Sequence, residues 1–529
     1  MNRACFTKCL AMLASFSALW LLIVPAEAQL TDITQTPNSE NAGIQKSLEE
    51  QIGAGRGDLM TPDASLFIIG RDPFRAIRRG RQVFQRKFTV AQGFGPRIND
   101  GMGDIEANTA IGNGLMDSCA GCHANPRGAA GSGGAILFVR PDHRDAPHLF
   151  GVGLKEMLAD EITADLRVIR DKALLQAQAQ GLTVTLNLRS KGIDYGRITA
   201  FSDGTVDTSQ VQGVNPDLRV RPLFAEGRDF STRVLAVNAW RNAMGLIAED
   251  PDFAAAAATP PGRVVTPSGI VLDGTLDTLP APPTPRPEFG ETGFEIPVSL
   301  VDHMEFYLLH YFKPGTYQQT RVAEHGRRIM KEIGCTQCHI PELQIERDRR
   351  VGDVETVYDP ENGMFNNLFA TVNALFRTED DGTDLPPLKL PSEGPFLVEN
   401  IFTDFKRHDL GPNFHERNFD GTMTTHFMTL PLWGVGNTPP YGHDGRSINL
   451  REVILRHGGE AQVQRDAFAR LPDQWQDSVV RFLESLIIFP PDDTASNLDP
   501  GDPNAPGFPQ RGHGSIRLPV LFNDPSDLE

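Results

Sequence analysis

The stretches CAGCH (residues 119–123) and CTQCH (residues 335–339) decide the fold of this chain. Each is a C-x-x-C-H box, the pattern for covalent attachment of a c-type haem. The two thiols of a box add to the two vinyl groups of the porphyrin, and the histidine that follows lies close enough to the iron to be its proximal ligand. The sequence therefore predicts two covalently bound haem c groups, held by Cys119, Cys122, His123, Cys335, Cys338 and His339.

The rival interpretation of these cysteines is a zinc site built from both C-x-x-C pairs. Zinc ribbons usually separate their two pairs by about 15–20 residues. Here more than 200 residues lie between the pairs, and a histidine follows each of them. The spacing therefore favours haem.

The first 28 residues have the pattern of a secretory signal, with a basic start, an apolar run and the cleavage site Ala26-Glu27-Ala28. Cys5 and Cys9 would leave with this segment. All other cysteines lie in the two boxes, so no disulfide is expected. No later stretch is apolar enough to span a bilayer. We therefore expect a periplasmic protein without a membrane span, beginning at Gln29.

The chain is acidic, with a formal net charge of −18 at pH 7. Such a surface disfavours nucleic acid as a partner, and it could steer a small basic redox protein, such as a soluble cytochrome c, towards the molecule. The simpler alternative is that the charge only keeps the protein in solution.

A weak internal repeat surrounds the boxes. Gly80-Arg81 opens a helical stretch upstream of the first box, and Gly326-Arg327 opens one just before the second. Residues 300–312 and 475–489 also align loosely, with apolar residues at helical spacing. The order of leading helix, haem box and closing helix is the plan of a class I cytochrome c domain. We therefore predict a mainly α protein with two class I cytochrome c-like domains.

Insertions enlarge the two predicted domains. Residues 157–180 have the pattern of an amphipathic helix that Gly181 can cap, and residues 195–211 have that of a small β-hairpin. Residues 259–293 are rich in Pro, Gly and Thr, which is typical of a linker or surface loop. The predicted organisation is a signal peptide (1–28), an N-terminal domain with these insertions (29–312), a C-terminal domain (313–490) and an extended Pro/Asp-rich tail (491–529).

Several longer motifs carry a resemblance to a known family. TPPYGHDGR (438–446) is similar to the T-x-P-Y-x-H-D-G segment of bacterial di-haem cytochrome c peroxidases and their MauG-like relatives. Further stretches resemble the subgroup of di-haem oxidoreductases, some of which carry the name thiol oxidoreductase. These stretches are RDAPHLFGVGL (144–154), TDF (403–405), HDLGP (408–412), LPLWG (430–434) and HGGEA (457–461).

The resemblance implies a second axial ligand for the C-terminal haem. His457 occupies the position of the distal Met of the peroxidases, so this haem would be held by His339 and His457. Imidazole in place of thioether would lower its potential. The alternatives are that His457 only caps a helix end, or that His408 or His443 is the ligand.

The N-terminal haem is where this sequence departs from the peroxidases. Leu137 stands where the resemblance places their switchable distal histidine. This haem would therefore be open, or be held by His143, His148 or Met244. Core packing is the simpler role for Met244, which lies in an apolar helical stretch.

The resemblance also suggests two residues for the chemistry. Glu156 follows the motif at 144–154 and is the candidate for moving protons as an O–O bond breaks, although a solvated glutamate on an amphipathic helix is the simpler interpretation. Trp433 could relay electrons between the haems, or could be structural.

A calcium ion lies between the domains of the peroxidases. The residues that occupy its ligand positions here are Asp145, Thr438 and Pro440. Carboxylate and carbonyl oxygens suit calcium, so the resemblance implies a calcium site at these residues.

These observations lead to two hypotheses about function. In the first, the protein is a peroxidase-like di-haem oxidoreductase that receives electrons at the C-terminal haem and reacts with a small oxidant such as peroxide at the N-terminal haem. In the second, it is a di-haem electron-transfer cytochrome c without peroxidase activity. Fold alone does not distinguish the two. A third hypothesis, a binding module whose boxes carry no haem, is the weakest.

Overall fold

The computed structural model describes residues 48–86, 88, 118–123, 130, 132–133, 135–136, 141–287, 293–311, 313, 315–316, 319–358 and 368–487. The predicted signal peptide and tail lie outside these residues and stay predictions. Every described residue belongs to one compact unit, which spans Ile33–Glu529. The predicted boundary between residues 312 and 313 also stays a prediction.

Helices of very different length alternate with short strands. The helices are α1 Leu48–Ile52, α2 Ser65–Arg71, α3 Pro73–Gln85, α4 Val152–Gln180, α5 Thr232–Met244, α6 Pro251–Ala256, α7 Val298–His310, α8 Arg321–Glu332, α9 Leu450–Arg456, α10 Gln462–Ala469 and α11 Asp473–Glu484. The strands of the N-terminal half are β1 Ala135–Ile136, β2 Arg144–Asp145, β3 Val184–Ser190, β4 Ile193–Ala200, β5 Val206–Asp207, β6 Arg263–Val265 and β7 Val271–Asp273. Those that follow are β8 Gly315–Thr316, β9 Leu343–Ile345, β10 Gly352–Tyr358, β11 Leu368–Ala374, β12 Phe376–Glu379, β13 Leu388–Pro391, β14 Phe396–Val398, β15 Arg407–Asp409, β16 Glu416–Arg417, β17 Met423–Thr424, β18 His426–Met428 and β19 Leu486–Ile487.

The prediction of a mainly α protein is wrong. Helices account for 37% of the chain and strands for 18%, so strand is a substantial part of the fold. The strands form small antiparallel sheets, nearly all of them two-stranded. Most strands are only two to four residues long, which is too short for alternation of apolar and polar residues to be recognised.

Two crossed helix pairs correspond to the internal repeat in the sequence. Helix α3 packs on α7, and α8 packs on α11. A Cβ atom at Gly80 would lie 2.2 Å from the carbonyl oxygen of His303, and one at Gly326 would lie 1.8 Å from that of Ser478. Only glycine lets the two backbones approach so closely, which explains why Gly-Arg recurs at both crossings.

Each crossed pair lies beside one cysteine box. Helix α3 contacts the short 3₁₀ turn Cys119–Gly121, and α8 contacts the turn Cys335–Gln337. The helix pairs therefore fix where the two boxes sit in the fold.

The N-terminal insertion contains the predicted helix and hairpin. Helix α4 ends at Gly181, whose φ of 65° gives the left-handed cap that the sequence predicts. Strands β3, β4 and β5 form one sheet in that order. Residues 259–293 differ from the expected loop, because β6 pairs with β7 there. No helix in the described part of the chain is both long and apolar enough to cross a membrane.

A buried ion cluster attaches α5 to α7. The guanidinium of Arg233 lies 2.8 Å from Asp250 and 3.0 Å from Asp302, and it also pairs with Glu305. All four side chains are buried. A buried charge is tolerated only where it is paired and hydrogen-bonded, so this cluster fixes the position of α5.

The glycine at the second helix crossing can be tested by substitution. In Gly326→Ala the new methyl group would meet the backbone of α11, so α8 and α11 would have to separate. We expect a loss of about 1–3 kcal/mol in the free energy of unfolding, the usual cost of overpacking. Denaturant titration followed by circular dichroism would measure it.

Gly394→Ala is the matched control, because a Cβ atom there has no neighbour within 4 Å. It should change the free energy of unfolding by no more than about 0.5 kcal/mol. Equal losses in both variants would contradict the role of Gly326 at the crossing.

Candidate functional site

One cavity connects the two cysteine boxes. Its volume is about 1180 Å³, and its lining includes both cysteines and the histidine of each box. Ordinary small-molecule pockets have volumes of roughly 300–1,000 Å³. This cavity is therefore large enough for more than one typical ligand. The lining is mostly apolar, with side chains from both halves of the chain.

The two boxes adopt the same backbone turn. In the first, the amides of Cys122 and His123 donate to the carbonyl of Cys119, at 3.2 and 3.1 Å. In the second, the amides of Cys338 and His339 donate to the carbonyl of Cys335, at 3.3 and 3.0 Å. This turn brings both thiols and the imidazole to the same cavity.

Cys122 of the first box is buried, and Cys119, Cys335 and Cys338 are partly buried. Burial raises the pKa of Cys119 to about 12, and Cys122 adds to the shift. Burial also raises the pKa of Cys122 and of Cys335 to about 11. Neutral thiols at Cys119, Cys122 and Cys335 that face a mostly apolar cavity suit thioether bonds to a hydrophobic ring, whereas a metal would need thiolates.

Each box histidine is oriented by a backbone carbonyl. Nδ1 of His123 lies 2.8 Å from the carbonyl oxygen of Pro147, and Nδ1 of His339 lies 3.1 Å from that of Phe402. A carbonyl oxygen only accepts, so Nδ1 carries the proton and the lone pair is on Nε2. This is the arrangement that metal-binding imidazoles need, and burial lowers the pKa of His339, which keeps it neutral.

The loop that supplies the Phe402 carbonyl has a strained backbone. Asn400, Phe402 and Phe405 have φ angles of 56°, 55° and 54°, a region that L-residues with side chains rarely adopt. Strain of this kind persists where the surrounding structure enforces it, and it clusters at functional sites. The loop is held by the Tyr195 hydroxyl, which donates to the carbonyl of Asp404 at 2.9 Å.

His457 faces the same cavity with a free Nε2. It follows the last residue of α9, and its Nδ1 donates to the carbonyl of Val453 at 2.7 Å. No described residue hydrogen-bonds to its Nε2, and burial lowers the pKa of His457 to about 4, so the ring is neutral. The geometry fits an iron ligand as well as a helix cap.

The two rivals of His457 are placed differently. His408 lies 2.9 Å from Asp404 through Nε2 and 2.8 Å from Glu460 through Nδ1. Burial, which disfavours its charge, is outweighed by the bond to Asp404 and further hydrogen bonds, so the pKa of His408 rises to about 11. Both nitrogens carry protons and neither can bind iron. His443 stacks on Phe427, with ring centres 3.9 Å apart.

The three predicted candidate ligands of the N-terminal haem also differ in their contacts and in their position relative to the cavity. His143 does not line the cavity, and its Nδ1 bonds to the carbonyl of Asp444 at 2.7 Å. His148 follows Pro147 in the chain, and the carbonyl of Pro147 accepts the hydrogen bond from His123. The Nε2 of His148 donates to the carbonyl of Trp433 at 3.0 Å. Met244 lines the cavity from the end of α5. Leu137 lies outside the described residues.

Glu156 is buried but does not line the cavity. Its Oε2 accepts the amide hydrogen of Thr232 at 2.7 Å, which anchors the first turn of α5. Burial, followed by the nearby Asp160, raises the pKa of Glu156 to about 8.

The neighbouring Lys155 faces the cavity instead, and burial lowers its pKa to about 8. Successive helical residues point about 100° apart, so a difference of one position decides which side chain enters the site. The sequence gives no signal for Lys155 beyond its proximity to Glu156.

Trp433 is buried, lines the cavity and belongs to the loop that receives the His148 bond. The structure therefore places it between the two boxes, where either predicted role is compatible with its position.

The predicted calcium ligands lie close together. The Cβ position of Gly445 is 3.2 Å from the side chains of both Asp145 and Pro440. Burial raises the pKa of Asp145 to about 6, although the nearby His143 opposes the shift, and no described side chain forms a hydrogen bond or salt bridge with its carboxylate. The hydroxyl of Thr438 donates to the carbonyl of Gly434 at 3.0 Å. An unpartnered, desolvated carboxylate is compatible with a cation there.

Residues 398–486 match the model of the family described as "Di-haem oxidoreductase, putative peroxidase". This match confirms the resemblance to di-haem oxidoreductases that the sequence motifs predict. The matched residues are less than half of the chain, and the description of that family names an oxidoreductase that uses haem.

No curated protein matches the chain. Among solved structures, the chain is similar to hydrazine synthase from Kuenenia stuttgartiensis pressurised with 20 bar xenon, at 14% sequence identity and a TM-score of 0.22. The match covers 38% of this chain and 59% of that chain, so the chain spans less than two thirds of this relative. A likeness of this size supports no conclusion about fold or function.

The buried Glu156 makes the stability of the protein depend on pH. The folded state holds the proton more tightly than the unfolded chain, whose glutamate pKa is about 4.3. Stability should therefore fall as the pH rises from about 4.3 to about 8, by up to about 1.4 kcal/mol per pH unit. Glu156→Gln keeps the acceptor oxygen but cannot titrate. It should therefore remove the decrease in the free energy of unfolding that Glu156 causes between pH 6 and pH 8.

Denaturant titrations at the two pH values would measure the difference. Glu332→Gln, at an exposed carboxylate on α8, is the control and should behave as the wild type does. An unchanged pH dependence in Glu156→Gln would rule out Glu156 as the source.

Proposed function

We propose that the protein is a periplasmic di-haem c-type oxidoreductase with peroxidase-like chemistry. Electrons enter at the C-terminal haem and peroxide reacts at the N-terminal haem. The observation that carries the proposal is a single cavity in which two boxes with the same turn each present two thiols and an imidazole with its Nε2 lone pair available. The family match supports the coarser part, an oxidoreductase that uses haem.

The residues of the cavity fit covalent haem. Cys119 and Cys122 would attach one porphyrin, with His123 on its iron, and Cys335, Cys338 and His339 would hold the other. When bound, the haems supply one-electron redox chemistry. The protein orients the two imidazoles, buries the thiols and encloses the rings in a mostly apolar cavity.

The two sites differ in the ligands available on the far side of the iron. At the C-terminal site His457 offers a second imidazole, and two strong ligands favour electron transfer. At the N-terminal site His148 and Met244 line the cavity and His143 does not. The Nε2 of His148 bonds to the Trp433 carbonyl, so neither histidine presents a free Nε2 to the cavity. A weakly held or open face favours reaction with peroxide. Reduction of one peroxide to two waters takes up two electrons and two protons.

The partner we propose is a small redox protein, with a soluble cytochrome c as the example. The support is the acidic composition of the chain, which favours a basic partner. The periplasmic location rests on the signal-like first 28 residues. We also propose one calcium ion at Asp145, Thr438 and Pro440, supported by the unpartnered Asp145 carboxylate.

The second candidate function is electron transfer alone. It is favoured by Met244, which faces the cavity and could complete a six-coordinate N-terminal haem. Two low-spin haems that bind neither cyanide nor carbon monoxide would support this alternative.

The experiment that tests the proposed function is stopped-flow mixing of the holoprotein with reduced cytochrome c and hydrogen peroxide. We expect two cytochromes to be oxidised per peroxide, at about 1 s⁻¹ or faster. The double variant Cys119→Ser/Cys122→Ser should carry one haem, still accept electrons from cytochrome c and lose turnover. Wild-type turnover no faster than that of free haem would refute peroxidase activity.

The ligand role proposed for His457 predicts a change in potential. His457→Met replaces imidazole with thioether, which raises the potential of a c-type haem. We expect a rise on the order of 0.1 V at one of the two haems, a fraction of the roughly 0.8 V range set by axial ligands. Spectroelectrochemical titration would measure it.

His415→Met is the control, because His415 bonds to Asp409 and does not line the cavity. Its two potentials should equal those of the wild type. The same two potentials in His457→Met would show that His457 is not a ligand.

A further inference from the structure

The carbonyls that bind the two box histidines are the ends of one connected path. At the N-terminal site, Nδ1 of His123 donates to the carbonyl of Pro147 at 2.8 Å. At the C-terminal site, Nδ1 of His339 donates to the carbonyl of Phe402 at 3.1 Å. Pro147 is bonded to His148, and Phe402 to Ile401, so each end continues through a peptide bond.

Two further hydrogen bonds close the gap between these ends. Nε2 of His148 donates to the carbonyl of Trp433 at 3.0 Å. The amide of Leu432 donates to the carbonyl of Ile401 at 3.0 Å. Trp433 and Leu432 are adjacent in the chain. Covalent bonds and four hydrogen bonds therefore join one box histidine to the other without a break.

His148 is the only side chain inside this path; every other internal link is backbone. Its Nδ1 is buried and has no partner among the described residues. A buried polar atom without a partner is unfavourable, so packing alone does not explain a histidine here. The hydrogen bond from Nε2 explains why a histidine stands at this position, because this bond connects a loop of the N-terminal half to a loop of the C-terminal half.

We propose that His148 is a positioning residue that couples the two haem sites, by completing a hydrogen-bonded path from His123 to His339. The inference rests on the di-haem part of the proposed function and not on its reaction with peroxide. With both haems bound, the path would carry one electron from the C-terminal site to the N-terminal site, so the donor would be oxidised and the acceptor reduced by one equivalent. No proton needs to move, because each hydrogen bond keeps its donor.

The test measures electron redistribution in the holoprotein without peroxide. A pulse of radiolytic electrons reduces the C-terminal haem, and absorbance follows the electron to the N-terminal haem. In His148→Phe, which cannot donate a hydrogen bond, we expect redistribution to slow by on the order of tenfold or more. His148→Gln can donate through its amide and should recover part of the rate.

Haem content and both reduction potentials are measured first, so that variants with equal driving force are compared. His148→Leu gives the same test if the phenyl ring prevents haem loading. Lys191→Met is the matched control, because it also removes a hydrogen bond from an N-terminal side chain to a C-terminal carbonyl, that of Gln344, but lies off the path and does not line the cavity. It should keep the wild-type rate.

Three outcomes would overturn the inference. The first is an unchanged rate in His148→Phe with both haems attached. The second is an equal slowing in Lys191→Met, which would indicate general loosening. The third is slowing in Trp433→Phe but not in His148→Phe, because the indole would then carry the electron. Absence of peroxide turnover in the wild type would refute the proposed function and leave this inference standing.

Discussion

The constraint on which the site depends is the capture of each box histidine by a backbone carbonyl far along the chain. The acceptors are Pro147, 24 residues after His123, and Phe402, 63 residues after His339. Each bond fixes the tautomer and the direction of an imidazole, and each forces a distant loop to lie against a cysteine box. The left-handed backbone at Phe402 is one consequence, since the carbonyl must turn towards the ring.

A second constraint is that the cavity is lined by residues from both halves of the chain. The two halves must therefore keep a fixed position relative to each other. Ion pairs help to hold that position. Arg144 pairs in the interior with Glu416 of the C-terminal half and also lies 3.1 Å from Glu226. The largely exposed Arg417 lies 2.7 Å from Asp142 at the surface. A buried pair contributes little net stability, but loss of one partner is strongly destabilising because the other charge is left unpaired. Such pairs oppose any sliding of one half against the other.

The sequence predicts the parts of this molecule that depend on local spacing. The boxes are covalent patterns of five residues, and the crossed helices repeat a Gly-Arg signal because both crossings need a glycine. The hairpin of the N-terminal insertion was predicted, whereas short strands of the C-terminal half were missed because strands such as β15 and β18 have only three residues each. Lys155 was missed because only packing decides whether it or Glu156 enters the cavity. The sequence did not predict the ion pairs of His408, because they depend on the tertiary fold. The strained loop brings Asp404 to His408, and the turn after α9 brings Glu460.

The position of the four box cysteines has a consequence for the order of biosynthesis. In the folded chain, Cys122 is buried, Cys119, Cys335 and Cys338 are partly buried, and all four line the cavity. A porphyrin is too wide to pass between close-packed side chains. Under the proposed function, thioether formation must therefore precede closure, and the apoprotein must remain open until both rings are in place. Final collapse would then occur around the pigments, which become the centre of the molecule on which the helices and loops assemble.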